Sequence, residues 1–249
     1  MIRVAVDLAA VVAGEVTIAG DEAHYLTRVR RVRVGEALQL FDGAGRTAAA
    51  TIVRLTSNTV TVEAAAPVIA PPELPHITAM IPLIKGDRFD YCLEKLVEVG
   101  VDAIVVWQAE RAVVKLDAER AATRLEKWRA AITAATRQAG RAHEATIDGV
   151  WPLQGPQGAL ARLTTQAPMA RRVLLHTAGG VPVQQLAGED AAAPMVIITG
   201  PEGGLAPNEV ELLSSNGFVP GALGSRILRA ETAPVVAVAL VRATEAAAK

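Results

Sequence analysis

Met195-Val196-Ile197-Ile198-Thr199, followed at once by Gly200-Pro201-Glu202-Gly203-Gly204, is the stretch on which the reading of this chain turns. Four apolar side chains in a row, closed off by glycine and proline, describe a strand buried on both faces. That is the texture of a parallel sheet, not of a half-exposed antiparallel one. A helical segment over 208–215 follows within a few residues, so the loop leaves the carboxyl end of a strand and leads into a helix. Open α/β sheets hold their ligands in that crevice.

The chemistry of the loop narrows the ligand. A phosphate loop needs a lysine and several inward-pointing backbone N–H groups. Here Pro201 has no N–H, Glu202 adds a negative charge and no Lys-Ser/Thr pair follows, so a polyphosphate meets repulsion while a cationic ligand is favoured. Taken alone, the five residues serve equally well as a tight structural turn. A second segment, Leu223-Gly224-Ser225-Arg226-Ile227-Leu228-Arg229-Ala230-Glu231-Thr232-Ala233, places two arginines, a carboxylate and a hydroxyl between a strand and an Ala/Val-rich helix. By itself it fits a helix cap with a surface ion pair just as well.

Working outward, the alternation continues. Strands are predicted at 77–84, 103–107, 146–150, 172–176, 195–199 and 218–223, and helices at 87–99, 117–141, 158–166, 208–215 and 233–246. This predicts an α/β domain with a mainly parallel sheet covered by helices. Before residue 70 the texture differs. Short β-prone runs at 3–6, 15–18, 37–41, 48–55 and 59–64 are separated by turn residues such as Asp42-Gly43-Ala44-Gly45 and Ser57-Asn58, which predicts a small β-barrel. One helical interruption, 21–31, runs into the densest positive stretch of the chain, Arg28-Val29-Arg30-Arg31-Val32-Arg33. Between the two textures Pro71-Pro72-Glu73-Leu74-Pro75 removes backbone donors and restricts each preceding residue, so a linker is expected there. The expected division is 1–70, a linker at 71–76, and 77–249.

Composition excludes several classes. Of 249 residues, 51% are apolar but only 3% aromatic, which suits layered aliphatic packing. The net charge of −1 excludes a protein that coats nucleic acid with its whole surface and leaves local basic patches. The single cysteine, Cys92, excludes an intrachain disulfide and falls among apolar neighbours in a predicted helix, as an inert buried thiol would. His24, His76, His143 and His176 are scattered without metal-ligand spacing, so no metal site is expected. No run approaches the ~20 apolar residues of a membrane span, and the first residues lack a signal-peptide pattern; a soluble, cytoplasmic protein with no membrane contact is expected.

The two loops in this order resemble the SPOUT class of knotted methyltransferases, specifically the family of small-subunit ribosomal RNA uracil-N3 methyltransferases. So do His24-Tyr25-Leu26 with Arg28 and Arg31, Arg88, Lys95 with Glu98-Val99-Gly100-Val101, Arg111, and Arg137-Gln138 with Arg141. The resemblance covers nearly the whole chain. It departs at Leu205, where an aromatic is often seen, at Ser225 and Ala230, and at Val99 within a usual Glu-Leu-Gly.

The resemblance implies a PUA-like β-barrel that binds RNA, followed by a SPOUT α/β domain ending in a trefoil knot. It implies S-adenosyl-L-methionine as cofactor, N3 of a uridine in 16S rRNA of the small ribosomal subunit as the methyl acceptor, and a homodimer. The donor is then expected against Leu175, His176, Thr199, Gly200, Pro201, Glu202, Gly203, Gly204, Leu223, Gly224, Ile227, Leu228 and Thr232. Catalytic roles are expected of Arg229, stabilising charge on the base as an oxyanion donor does, and of Glu202 or Glu231, holding Arg229 or orienting the donor. RNA contacts are expected from His24, Arg28, Arg30, Arg31, Arg33, Lys85, Arg88, Arg111, Arg137, Gln138 and Arg141, chiefly to phosphates. The alternative from another class is a non-catalytic RNA-binding or ribosome-assembly protein of the same fold.

Overall fold

In a computed structural model of the chain, residues 1–9, 11, 13–177, 179–188, 190 and 192–247 are described. They divide into two units, Met1–Pro72 with Thr136–Glu144, and Glu73–Ala135 with Ala145–Lys249.

The first unit is built on strands β1 (Ile2–Ala5), β2 (Gly14–Ile18), β3 (Ala37–Phe41), β4 (Arg46–Leu55), β5 (Val60–Ala64) and β6 (Val68–Ile69). They form one sheet in the order β1-β3-β4-β5-β2, with β6 on β4; β1 and β3 run parallel and the other pairs antiparallel. Strand side chains alternate between faces, so Ala48, Ala50 and Ile52 of β4 turn inward and join Val4, Leu8, Leu38, Leu40, Val60 and Val62 in the core. At the β3–β4 turn the Asp42 carboxylate accepts hydrogen bonds from the N–H groups of Ala44 and Arg46 at 2.8 and 2.9 Å, as the Asp-Gly signal implies. The expected helix at 21–31 is a short α1 (Gly20–His24) running directly into a π-helix, Tyr25–Arg30. Apolar spacing announces a helix there but not its i→i+5 bonding.

The return segment Thr136–Glu144 belongs to this unit by specific bonds. Gly45 N–H donates to Ala142 O at 3.1 Å and Glu144 N–H to Gly43 O at 2.8 Å. The buried Arg3 guanidinium donates to Thr136 O and Arg141 O at 3.2 and 2.8 Å, tying the last turn of the helix Ala118–Ala139 and Arg141 just beyond it to β1.

The second unit alternates strand and helix: β7 (Ile77–Pro82), α2 (Asp87–Glu98), β8 (Ala103–Gln108), α3 (Ala118–Ala139, whose last residues enter the return segment), β9 (Thr146–Pro152), α4 (Ala159–Gln166), β10 (Arg171–Leu175), β11 (Val181–Pro182), α5 (Val183–Gly188), β12 (Met195–Ile198), α6 (Pro207–Ser215), β13 (Phe218–Ala222) and α7 (Ala233–Ala247). The seven strands are all parallel, in the order β11-β13-β10-β12-β7-β8-β9. Every residue of β7 and β12 is buried. On one face Ile77, Ala79, Ile81, Met195 and Ile197 pack with residues of α2, α3, α5 and α7; on the other Met80, Val196 and Ile198 pack with residues of α4 and α6. This is the two-sided burial expected of parallel strands. The elements absent from the sequence reading, β6, β11 and α5, span two, two and six residues, too few to show a period.

On α7, Arg242 donates to Gly100 O, Pro75 O and the Asp102 carboxylate at 2.6–2.9 Å, while Asp102 also accepts from Ile77 N–H. The last helix is thereby fixed to the starts of β7 and β8. No helix among the described residues is long and apolar enough to cross a membrane.

Candidate active site

Strands β13, β10 and β12 are neighbours and parallel, so the loops that follow them leave the same edge of the sheet. Between these loops lies a cavity of about 790 Å³. Its walls are Leu175, His176 and Thr177 after β10, residues 199–202 with Gly204 and Leu205 after β12, and 221–230 from the end of β13 to the start of α7. A concave site with an apolar lining and a few converging polar groups is the form a small-molecule site takes. Here the apolar share comes from Leu175, Leu205, Leu223 and Leu228.

The loop after β12 is held in shape locally and from a distance. Thr199 N–H extends the sheet ladder to Met80 O at 3.1 Å, and Gly204 N–H closes a turn onto Pro201 O at 2.9 Å. Gly203 backs onto residue 111, where a β-carbon would stand 3.2 Å from the Arg111 carbonyl. Arg111 in turn donates to Leu205 O at 3.3 Å. Arg88, at the start of α2, forms an ion pair with Glu202 at 3.2 Å. Immediately beyond the loop, the buried carboxylate of Glu209 accepts from Ala206 N–H at 2.8 Å and from Glu110 N–H at 2.7 Å. It caps the first turn of α6, where Ala206 has no side-chain acceptor to offer.

The loop after β13 turns at Gly224, whose φ of +117° is a conformation that residues with a β-carbon rarely adopt. It delivers Arg226 and Arg229 to the wall of the cavity and leaves Glu231 buried, outside the lining. Arg229 stands 3.9 Å from Glu231; its side chain is 79% exposed and that of Glu231 8%. One oxygen of Glu231 is buried with no hydrogen-bond partner, and so is the hydroxyl of Thr199, which lines the cavity. Buried polar atoms are seldom left unmatched, so the Thr199 hydroxyl is a contact awaiting a ligand atom. Arg88, Arg111, Arg226 and Arg229 against the single carboxylate of Glu202 make the lining positive in a chain whose net charge is −1, a field that attracts a polyanion. Among the described residues no group of three or more His, Cys, Asp or Glu side chains is arranged to hold a metal ion.

An RNA methyltransferase domain model matches residues 72–242, and an RNA methyltransferase PUA domain model matches residues 18–64. The chain belongs to the RNA methyltransferase family. A relative from Mycobacterium bovis within it, "Ribosomal RNA small subunit methyltransferase E", is 33% identical over 222 residues, covering 89% of this chain and 84% of the relative. The protein of the same name from Synechocystis is 30% identical, covering 94% and 74%. Among solved structures, ribosomal RNA small subunit methyltransferase E from Neisseria gonorrhoeae bound to S-adenosyl methionine superposes with a TM-score of 0.84 at 28% identity, covering 96% and 95% of the two chains. A putative methyltransferase from Legionella pneumophila in complex with the same cofactor superposes at 0.79, also at 28% identity, covering 97% and 96%.

In this RNA methyltransferase the structure gathers most of the expected donor residues and redistributes others. Leu175, His176, Thr199, Gly200, Pro201, Glu202, Gly204, Leu223, Gly224, Ile227 and Leu228 line the cavity; Gly203 and Thr232 do not. Gly203 is turned toward Arg111, and Thr232 belongs to the first turn before α7, where its N–H donates to Arg229 O at 2.9 Å. Of the two carboxylates offered as partners of Arg229, Glu231 is the one beside it, while Glu202 pairs with Arg88.

The expected RNA contacts separate into three groups. His24, Arg28, Arg30, Arg31 and Arg33 are exposed on the first unit, as are Lys85 and Gln138 on the chain's surface. Arg88 and Arg111 line the cavity and brace its loop. Arg137 and Arg141 are turned inward: Arg137 is ion-paired with Glu22 and Arg141 is 8% exposed. Sequence reading also passed over Gly179, Gly221 and Ala222 in the lining. A signal did exist at Gly221, since glycine inside a strand marks a close approach. A β-carbon there would lie 2.5 Å from Val173.

Proposed function

We propose that this chain transfers the methyl group of S-adenosylmethionine to N3 of a uridine in the 16S ribosomal RNA of the small ribosomal subunit. The reading extends to a division of labour in which 1–70 with the return segment 136–144 binds RNA, 71–76 links, and the rest of 77–249 carries the chemistry and ends in a trefoil knot. It also extends to a cytoplasmic homodimer.

The observation that carries the proposal is the three-loop cavity with its unpartnered Thr199 hydroxyl, in a chain of this family. The residues present fit the cofactor. The leucines offer an apolar bed for its adenine and the Thr199 hydroxyl a hydrogen bond to a polar edge, while the Glu202 carboxylate, paired with Arg88, offsets part of the positive charge of the lining. When bound, the cofactor supplies an electrophilic methyl on positively charged sulfur.

The remaining work falls to the chain. Rigid loops hold the two reactants in line, and alignment of this kind is equivalent to effective concentrations of ~10⁵ M or more. Arg229, exposed at the rim, donates to the O2 or O4 oxygen on which charge grows as N3 gives up its proton to solvent and takes the methyl group. Glu231 holds that guanidinium from below. The exposed arginines of the first unit grip phosphates and leave the sequence to be read elsewhere.

Arg229→Ala is expected to abolish methylation of small-subunit RNA while calorimetry with S-adenosylmethionine gives an affinity within a few-fold of the parent. Full methylation by that variant would remove Arg229 from the chemistry. Absence of any heat with the cofactor would remove the donor site.

A further inference from the structure

The π-helix Tyr25–Arg30 ends at Arg31, which has a φ of 53° and is the one non-glycine residue at positive φ among those described. Both features are uncommon and persist where the surroundings over-determine them. The consequence is a fan. Leu26 and Val32 are buried on either side, and between them Arg28, Val29, Arg30 and Arg31 all stand exposed, with Arg33 beyond. None of these four arginines is ion-paired within the described residues, unlike Arg46, Arg54, Arg88 and Arg137.

Behind the fan lies a second, quite different arginine. Arg137 is ion-paired with Glu22 of α1, and its guanidinium stacks 4.8 Å from the ring of Tyr25, the first residue of the π-helix. Both charged side chains are mostly buried, at 19% and 24% exposure. The Nε of Arg137 and the second oxygen of Glu22 have no other partner, so each charge relies on the other. Arg137 itself is anchored, because Arg3 binds Thr136 O and Arg141 O on either side of it and Gln39 of β3 at 2.9 Å.

Resting on the reading of the exposed arginines as the RNA surface, we propose that Glu22, Tyr25 and Arg137 are positioning residues that fix the π-helix in the shape that presents those arginines. Arg137 acts through Tyr25 and Glu22 and does not touch RNA.

Charge makes the test sharp. Glu22→Gln removes a negative charge beside an RNA-binding surface, so electrostatics alone tightens RNA binding, and an Arg137 released to reach phosphate tightens it further. Positioning requires the opposite. Binding of an in vitro transcribed small-subunit ribosomal RNA is expected to weaken about five- to tenfold in Glu22→Gln. KM for RNA should rise to match, with kcat at saturating RNA within about twofold and donor affinity unchanged. Tyr25→Leu, which alters no charge, should weaken binding in the same way, and Tyr25→Phe, which keeps the ring under the guanidinium, should restore it. Circular dichroism and donor binding establish that each variant is folded. Tighter or unchanged RNA binding in folded Glu22→Gln and Tyr25→Leu overturns the positioning role. The double variant Arg28→Ala/Arg30→Ala separates the two levels. If it binds RNA like the parent, the RNA surface itself is misassigned; if it binds weakly while Glu22→Gln does not, only the positioning role fails.

Discussion

Cys92 of α2 has no exposed surface; burial, and after it the charge of nearby Glu231, push its thiol up from 9.0 to about 12. Between those values the folded state keeps a proton that the unfolded chain has lost, so stability falls as pH rises through that window and is indifferent to this group below it. Two measurements follow. At about pH 8 a maleimide should leave the native thiol unmodified and label it at once in denaturant, because only the accessible thiolate reacts. The loss of urea midpoint from pH 9.0 upward should be shallower in Cys92→Ala than in the parent, and equal slopes would mean that the thiol titrates freely. Burial of this cysteine was legible from its apolar neighbours, as was the joint presence of Arg229 and Glu231 in one short segment. Arg88 and Arg111 were not. They read as free cations for phosphate, yet one pairs with Glu202 and the other with a carbonyl 94 residues away. A single long-range partner leaves no periodicity or motif in the chain.

Among elements, α6 shows how one side chain governs a loop. Glu209 is 6% exposed and satisfies two N–H groups, one at its own helix start and one just past β8. Glu209→Ala leaves the buried Ala206 N–H without an acceptor and the Glu110 N–H to water, a loss of about 1–3 kcal/mol by the usual cost of such a group. Because the residues just before α6 form a wall of the donor cavity, S-adenosylmethionine affinity should fall together with the urea midpoint. A midpoint equal to that of the parent would show that water replaces the carboxylate without loss. Strands of the second unit were legible because two-sided burial writes continuous apolar runs, as in Met195-Val196-Ile197-Ile198. The two-residue strands β6 and β11 and the π-helix were not, since a period needs length to be seen and backbone bonding within a helix leaves the apolar spacing nearly unchanged.

For the molecule as a whole, alternation of strand and helix conveyed a parallel sheet but not its order. That β12 lies between β10 and β7, and β10 between β13 and β12, is what brings three loops distant in sequence around one cavity. Nor did any local feature reveal that Thr136–Glu144 belongs with the first unit, because its bonds to Arg3, Gly43 and Gly45 join positions about a hundred residues apart. That return segment decides how the protein can be dissected. A fragment cut at the proline-rich stretch, 1–72, would lose the partners of Arg3, Gly43, Gly45, Glu22 and Tyr25 in one stroke. Expressed alone it is expected to be poorly soluble and to show weak protection from hydrogen exchange, and a synthetic peptide spanning 136–144, added in trans, should restore both. A fragment that is equally protected without the peptide would mean that the first unit is self-sufficient. The gene is thus not cleanly modular at this boundary: a working excision, graft or fusion of the first unit has to carry a short piece of sequence that lies in the middle of the second one's.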